Sequence, residues 1–208
     1  MIDKSRIEFD LDIQKTYHTT LISGSDEAGR GAMAGPIVVA SVILPSDYAN
    51  PLIQDSKKLS KKSRIFLFNE IKKNAVSYYI SVISNDIVDS INPKQASING
   101  MKESILKLSP KPDVCLIDAE KVKIDNYVCL PFIKGDDKSQ SIAAASILAK
   151  VTRDQIMIDY DIKYPNYGFA NHKGYCTKMH QNLLFKNGVT PIHRLSYKPV
   201  KIILGSLK

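Results

Sequence analysis

Short apolar runs alternate along this chain with longer segments of helical periodicity, and this alternation restricts the fold more than any other feature. The predicted strands span residues 19–25, 37–44, 76–82, 113–118 and 128–133. The predicted helices span residues 60–74, 95–108 and 139–163, and beyond Pro165 shorter helical pieces, chiefly residues 178–186, lead to a final tail. Strands that alternate with helices build a layered α/β domain, here with a helical region at its C-terminal end.

The length of 208 residues suits a single domain over residues 1–208, in which residues 165–208 form a basic helical region. No apolar run approaches the ~20 residues that cross a bilayer, and the start of the chain lacks the basic and apolar parts of a leader peptide. The three cysteines, Cys115, Cys129 and Cys176, share no metal-binding spacing, and their odd number argues against a disulfide framework. We therefore expect a cytoplasmic protein without membrane contacts.

The net charge of +8 comes entirely from the C-terminal end of the chain. Residues 162–208 contain basic side chains and neither Asp nor Glu, whereas the charges of residues 1–161 balance. A basic tail in contact with solvent explains the charge equally well on this evidence alone. The same segment carries interleaved aromatic residues, which favour a polyanion with sugars and bases to stack on: Tyr164, Tyr167, Phe169, Tyr175, Phe185 and Tyr197.

Two adjacent carboxylates, Asp26 and Glu27, follow the first apolar strand and precede a glycine-rich loop. An isolated pair of this kind most often belongs to a surface turn. Within a strand the two side chains face opposite sides, so they can converge only where the strand ends and twists. A dinucleotide-binding loop is excluded because it needs a helix after the glycines. Here Pro36 and the β-branched residues 37–39 favour a second strand and a hairpin.

Two more carboxylates occupy comparable positions. Asp118 ends an apolar strand, and Asp136 follows a Lys-Gly pair just before the longest helix. Carboxylates at strand ends gather at one edge of an α/β sheet, where such proteins bind ligands. Four of them cannot stay ionised together without cations, and oxygen ligands without a His or Cys cluster select Mg²⁺ or Mn²⁺. Two such ions can drive phosphodiester cleavage.

Candidate phosphate-binding groups accompany these carboxylates. Residues 54–73 are rich in lysine and include Lys57. Ser146, Lys150 and Arg153 follow one another at i, i+4 and i+7, which places them on one face of the long helix. Taken singly, that stripe is more often a solvated helix side on which Lys150 pairs with Asp154.

Together these segments resemble the type 2 ribonuclease H family, the bacterial ribonucleases HII, over nearly the whole chain. The resemblance rests on DEAGRG at residues 26–31, DSKKLS at 55–60, LID at 116–118, KGD at 134–136, AASILAKVTRD at 144–154 and NHKGY at 171–175. It implies the ribonuclease H-like fold, with a central mixed β-sheet flanked by helices. The related type 3 enzymes usually carry an extra N-terminal domain, whereas the first predicted strand here begins at residue 19, so type 2 fits better.

The resemblance also implies roles for individual residues. Asp26, Glu27, Asp118 and Asp136 would be the catalytic ligands of two Mn²⁺ or Mg²⁺ ions. The backbone of Gly29, Arg30 and Gly31 would contact the ribose 2′-hydroxyl, which distinguishes RNA from DNA. Tyr175 would stack on the next sugar and test that it is a deoxyribose. The phosphate contacts would be Lys57, Ser146, Lys150 and Arg153.

Three positions depart from the family pattern, although none removes a proposed ligand. Gln54 replaces a common Asn, and the segment 193–197 lacks a usual second Arg. Ala119 and Glu120 follow Asp118 where Gly and a neutral polar residue are common. Glu120 adds a carboxylate near the proposed metals, and the sequence leaves open whether it alters metal affinity or points away.

Three functions stay open at this point. The first, an endonuclease, cleaves the RNA strand of RNA/DNA hybrids and nicks 5′ of single ribonucleotides in duplex DNA, leaving 5′-phosphate and 3′-hydroxyl ends, in a role such as ribonucleotide removal. The second is a nucleic-acid-binding module with a structural or vestigial metal site. The third is another nuclease of the same broad fold, such as a junction resolvase. We expect a monomer, and residues 202–204 show no trustworthy motif for a sliding clamp.

Overall fold

A five-stranded mixed sheet forms the centre of the protein in the computed structural model, which describes residues 4–206. Its strands are β1 (Ile22–Ala28), β2 (Ile37–Ile43), β3 (Ser77–Ile83), β4 (Val114–Asp118) and β5 (Val128–Phe132). They lie in the order β3-β2-β1-β4-β5. The pairs β1–β2 and β2–β3 are antiparallel, whereas β1–β4 and β4–β5 are parallel. The prediction of a central mixed sheet is confirmed.

Helices cover both faces of this sheet and continue beyond it. They are α1 (Ser5–Tyr17), α2 (Lys61–Asn74), α3 (Asn85–Ile91), α4 (Pro93–Leu106), α5 (Gly135–Lys138), α6 (Gln140–Lys163), α7 (Phe169–His172), α8 (Lys178–Asn187) and α9 (Lys198–Ser206). Helices α2 and α6 pack on one face and α4 on the other, while α7, α8 and α9 form the predicted C-terminal helical region. None of the helices described is both long and apolar enough to span a membrane.

Strand β2 is buried on both faces because its side chains alternate between two apolar clusters. Val38, Ala40 and Val42 pack towards α2 and α6, whereas Ile37 and Val39 pack towards α4. This alternation follows from the period of two in a strand, and the β-branched residues suit a fully buried central position. The central strands are therefore a rigid base for the residues at their ends.

Helix α6 lies unusually close to β1 at its N-terminal end. The Ser139 side chain caps the helix by accepting a hydrogen bond from the Ile142 backbone. A Cβ atom on Gly24 would lie only 2.0 Å from the carbonyl carbon of Ser141, so glycine is required at that position. This close approach fixes the position of the first turns of α6 relative to the acidic end of β1.

Several boundaries differ from those predicted. Strand β1 ends at Ala28, so Asp26 and Glu27 lie inside the strand, where they pair in register with Ala40 and Val39. Helix α1 was not predicted because charged residues occur on all its sides, and α3 was also missed. The predicted final tail is helix α9, which is held by the buried Val200. The prediction of one domain over 1–208 includes residues 1–3 and 207–208, which lie outside the described residues.

Candidate active site

The carboxylates of interest come from adjacent elements at one edge of the sheet. Strands β1 and β4 run parallel with Ser25 opposite Ile117, so Asp26 and Asp118 follow side by side. The Asp118 Oδ1 atom accepts a hydrogen bond of 2.7 Å from the Gly135 backbone. That bond anchors the start of α5 at the end of β4 and brings Asp136 to the same edge.

All four carboxyl groups have raised pKa values, and burial is the largest cause for each. Repulsion from Glu27 and Asp118 further raises the pKa of Asp26, which is 4% exposed. The pKa of Glu27 rises to about 7, because burial and its acidic neighbours outweigh the nearby Arg30 and Lys57. Asp118 also contributes to the raised pKa of Asp136. Asp118 is therefore the acidic neighbour that the other three share.

Protein cations compensate only part of this negative charge. The nearest atoms are Arg30 Nε, 3.4 Å from Glu27 Oε1, and Lys57 Nζ, 3.8 Å from Asp136 Oδ2. Among residues 4–206, no three Asp, Glu, His or Cys side chains already enclose a single ion position. The donor set nevertheless fits a divalent cation, because carboxylate oxygens that are buried or half-buried and repel one another suit Mg²⁺ or Mn²⁺.

A cleft of about 470 Å³ opens beside these carboxylates. It is lined by predicted site residues from four separate segments: Glu27, Gly29, Arg30, Gly31, Lys57, Ser146, Lys150 and Tyr175. Ala28 and Ser56 complete the lining. The sequence analysis did not single out Ser56, although its place between Asp55 and Lys57 in the motif at residues 55–60 could have indicated it.

Arg153 differs from its predicted role as a phosphate contact. Its side chain is fully buried and donates hydrogen bonds to three backbone carbonyls, those of Ala34, Pro36 and Lys173. A Cβ atom on Gly29, whose φ is +96°, would lie 1.9 Å from the Arg153 Nε atom. This burial is incompatible with direct contact to a substrate phosphate. Arg153 instead joins the glycine-rich loop to the segment that carries Tyr175.

Ser146 and Lys150 line the cleft but already have protein partners. The Ser146 hydroxyl lies 2.9 Å from the Ser56 hydroxyl and also hydrogen-bonds to Asp26. Lys150 Nζ lies 2.6 Å from Asp154 Oδ1, the i, i+4 pair that was the alternative interpretation of this helix face. The Lys150 ammonium group is also 5.8 Å from the centre of the Tyr175 ring.

Tyr175 is half-buried, and its ring lies over the Arg153 guanidinium. The central carbon of that guanidinium, Cζ, is 5.2 Å from the centre of the tyrosine ring. Its backbone is held by a cluster of three buried histidines, His172, His180 and His193, hereafter the histidine cluster. His180 Nδ1 donates to the Tyr175 carbonyl at 3.0 Å, and the rings of His172 and His180 stack at 4.1 Å. The cluster thus supports the backbone segment that places Tyr175 in the wall of the cleft.

The hydrogen bonds of the histidine cluster fix a single set of neutral tautomers. The Thr190 backbone donates to His193 Nδ1, so His193 Nε2 carries the proton and donates to His180 Nε2 at 3.1 Å. The Gly174 backbone donates to His172 Nδ1, so His172 Nε2 donates to the Tyr167 carbonyl. Burial lowers the pKa of His180 to about 3 and that of His193 to about 4.

Arg194 and Tyr197 also hold the glycine-rich loop, whereas the sequence analysis gave Arg194 no role and counted Tyr197 only among the aromatic residues of the basic segment. The Tyr197 hydroxyl and Arg194 Nη1 donate to the Arg30 carbonyl at 2.6 and 3.0 Å. The guanidinium of Arg194 also donates twice to the Gly35 carbonyl. No charge or spacing pattern could have found this pair, because it approaches the loop from the C-terminal region.

Carboxylates at the edge of a mixed sheet, beside a cleft lined by lysines and by Tyr175, are typical of enzymes that cleave phosphodiesters. Comparison with known proteins gives the family: the family model described as Ribonuclease HII matches residues 23–200. The ribonuclease HII of Mycoplasma capricolum subsp. capricolum is 56% identical over 200 residues, covering 96% of this chain and 97% of that protein.

Two solved structures share the fold. The ribonuclease H2 of Pyrococcus horikoshii OT3 gives a TM-score of 0.79 at 23% identity, with 89% of this chain and 97% of that chain covered. A chain in the PCNA:RNase HII complex from Archaeoglobus fulgidus gives 0.74 at 26% identity, with 86% and 95% covered. The chain belongs to the ribonuclease HII family, the type 2 ribonucleases H. Enzymes of this kind act on RNA/DNA hybrids and depend on divalent metal ions.

Proposed function

We propose that this ribonuclease H is an endonuclease that nicks duplex DNA 5′ of single embedded ribonucleotides, as well as hydrolysing the RNA strand of hybrids. The observation that supports it best is the group of four carboxyl groups of raised pKa, two of them buried and two half-buried, beside a cleft with a glycine-rich wall. Asp26, Glu27, Asp118 and Asp136 would hold the ions. Two bound Mg²⁺ or Mn²⁺ ions would activate a water and stabilise the leaving oxygen, giving 5′-phosphate and 3′-hydroxyl ends.

The remaining residues would bind and orient the nucleic acid. Gly29, Arg30 and Gly31 line the cleft, and their backbone would contact the 2′-hydroxyl of the ribonucleotide. Tyr175 offers a ring face to the following sugar, and Arg153 beneath it would keep that ring in place. This role for Arg153 replaces the phosphate contact expected from sequence.

Two lysines are suited to the phosphates, though in different ways. The four carboxylates Asp26, Glu27, Asp118 and Asp136 are hereafter called the acidic edge. Lys57 is the stronger candidate because its side chain is 78% exposed and lies beside this acidic edge. Lys150 would first have to leave Asp154, and Ser146 would act mainly by its hydrogen bond to Asp26. The basic C-terminal region of residues 165–208 would add sequence-independent attraction to the duplex.

The direct test is cleavage of a labelled duplex that contains one ribonucleotide, with Mn²⁺ or Mg²⁺. We expect a single nick on the 5′ side of the ribonucleotide, with no product in EDTA or from an all-DNA duplex. An intact duplex with wild-type protein in both metals would refute the proposal. Tight hybrid binding without cleavage would instead favour the nucleic-acid-binding module that the basic C-terminal region suggests.

Adjacent residues of α5 offer a matched pair of variants. Asp136→Asn should abolish the nick, because Asp136 is among the proposed ligands. Asp137→Asn makes the same chemical change one residue later, where the carboxylate is exposed and bonds to Lys58. It should retain most of the activity. Equal losses in the two variants would show that the acidic edge acts only through its total charge.

The role of Tyr175 is tested by substrate preference. Tyr175→Ala should weaken the preference for an RNA-to-DNA junction over a continuous hybrid, whereas Tyr175→Phe keeps the ring and should retain it. An unchanged preference in Tyr175→Ala would remove the stacking role. Cleavage of a ribonucleotide-free four-way junction by the wild-type protein would favour a resolvase.

The cellular setting stays a prediction from sequence. A cytoplasmic monomer that removes ribonucleotides from DNA is consistent with the family. A complex with PCNA is a property of the Archaeoglobus protein. Whether a sliding clamp binds this chain stays open.

A further inference from the structure

Glu120, two residues after Asp118, is an additional carboxylate, and its side chain contacts Arg30 in the wall of the cleft. A tight turn over residues 118–120 is closed by a hydrogen bond of 2.6 Å from the Glu120 backbone to the Asp118 carbonyl. At its centre Ala119 has a φ of +53°, and its amide donates to the Phe132 carbonyl. The turn holds Glu120 in a buried position, 9% exposed, next to the acidic edge.

Glu120 makes its shortest side-chain contact with Arg30. The Arg30 Nη1 atom lies 2.5 Å from Glu120 Oε1, whereas Arg30 Nε lies 3.4 Å from Glu27 Oε1. The guanidinium group therefore bridges two carboxylates but is closer to Glu120. Its backbone cannot shift easily, because Tyr197 and Arg194 both bind the Arg30 carbonyl.

We infer that Glu120 is a positioning residue that holds the Arg30 guanidinium at the rim of the cleft, so that Glu27 stays available to a cation. The inference rests on the proposed function, in which Glu27 is a metal ligand. An arginine fork pairs strongly with a carboxylate, and in the described part of the chain Glu27 is the other carboxylate within ion-pair distance of Arg30. Without Glu120, the guanidinium would turn towards Glu27 and compete with the ion.

Lys94 is the weaker of the two cations that pair with Glu120. Its Nζ atom lies 3.8 Å from Glu120 Oε2, and its side chain is 72% exposed. A solvated pair at that distance contributes little. Glu120 is also engaged through Oε1 with Arg30, so the structure gives it a protein cation as its partner.

The test measures Mn²⁺ binding by calorimetry without nucleic acid, in wild type, Glu120→Gln, Arg30→Ala and the double variant. We expect Glu120→Gln to weaken Mn²⁺ binding roughly tenfold, within the usual range for coupled sites. In the Arg30→Ala background the same substitution should cost much less, because no guanidinium is left to turn towards Glu27. The inference would be overturned if Glu120→Gln weakened Mn²⁺ binding equally, or more, in the Arg30→Ala background. Glu120 would then act on the ion directly, as a ligand or through its charge.

Glu120→Asp separates reach from charge and covers the case in which Glu120→Gln does not fold. Aspartate keeps the negative charge but is one methylene shorter, so it should lose the Arg30 contact and bind Mn²⁺ as weakly as the glutamine variant. Wild-type affinity in Glu120→Asp would overturn the inference. Glu70→Gln, on α2 outside the cleft, is the matched control and should bind Mn²⁺ like wild type.

Failure of the inference can be told from failure of the proposed function. Wild-type protein that binds Mn²⁺ and nicks the single-ribonucleotide duplex, with no coupling between Glu120 and Arg30, overturns only the inference. Wild-type protein that neither binds Mn²⁺ nor nicks overturns both. If the Glu120→Gln variant is active, it should need a higher Mn²⁺ concentration than wild type for its half-maximal cleavage rate. Its maximal rate at saturating Mn²⁺ should change little.

Discussion

The acidic edge and the histidine cluster both remove ionisable side chains from solvent, but they differ in how the polar groups are compensated. In the histidine cluster each ring is neutral, and its nitrogens have defined partners, as in the chain from Thr190 through His193 to His180. At the acidic edge, Asp26 and Glu27 repel neighbouring carboxylates, and only Arg30 and Lys57 offset the charge.

The difference separates stability from function. Polar groups that satisfy one another when buried stabilise a fold, whereas like charges that stay close destabilise it unless a ligand arrives. The histidine cluster therefore has the character of a support for Tyr175. The acidic edge instead has the properties of a cation-binding site.

The sharpest way to break this comparison is Asp118→Asn. The amide can still accept the Gly135 hydrogen bond, so the fold should be kept, while activity should fall at least ~10³-fold, about 4 kcal/mol in the barrier. Because the Asp118 pKa is raised by burial, the metal-free variant should unfold at a higher temperature than wild type. Single-turnover cleavage and thermal unfolding in EDTA measure the two effects. An active but less stable variant would contradict the comparison.

The opposite result is expected for His193→Ala. The substitution leaves the Thr190 amide and His180 Nε2 without partners and opens a cavity, so the free energy of unfolding should fall by about 3 kcal/mol. Urea unfolding measures this loss. Mn²⁺ affinity should not change. The exposed His18, which ends α1 with a φ of 51°, gives the control His18→Asn, expected to be nearly neutral.

The pH dependence of stability should also have opposite signs in the two regions. Because the pKa of Glu27 is raised from 4.5 to about 7, its contribution is full below pH 4.5 and is lost as the pH rises through 7. The pKa values of His180 and His193 are lowered from 6.5, so their contribution is present above pH 6.5 and is lost as the pH falls towards 4.

Glu27→Gln isolates the acidic part of that dependence. In EDTA, the stability of wild type relative to this variant should fall by about 2.5 kcal/mol between pH 5 and pH 7.5. Urea unfolding at the two pH values, with Glu70→Gln as the control, measures the change. A constant difference between wild type and Glu27→Gln would show that Glu27 is already fully ionised when metal is absent.

The sequence could indicate the acidic edge because local patterns determine where its carboxylates lie along the chain. Asp118 ends an apolar run and Asp136 precedes a capped helix, and parallel strands bring such ends together. The direction of Glu27 could not be predicted, since alternation in a strand assigns it to the face opposite Asp26. Only the three-dimensional twist of β1 and the positions of its neighbours decide where that side chain lies.

The support of the cleft was not predicted, because it depends on contacts between distant segments. The spacing of Arg153 on α6 fits a phosphate-binding face and a buried face equally, and the tertiary contact with Ala34 decides between them. The histidine cluster joins residues from α7, α8 and the loop before α9 that share no spacing. Periodicity carries no information about such partners.

Asp10 offers the smallest but most discriminating comparison, because it is a buried carboxylate that is neither a proposed ligand nor part of the cleft lining. Burial raises its pKa from 3.8 to about 6, although Ser139 and Ser141 both hydrogen-bond to it. Its contribution to stability is full below pH 3.8 and is lost as the pH rises through 6. Between pH 4.5 and 6.5, wild type should lose roughly 2 kcal/mol relative to Asp10→Asn in urea unfolding. Adding Mn²⁺ should leave this difference unchanged, whereas it should abolish the Glu27 effect. A Mn²⁺-sensitive Asp10 would show that the response to Mn²⁺ is not specific to the acidic edge, and would contradict the comparison.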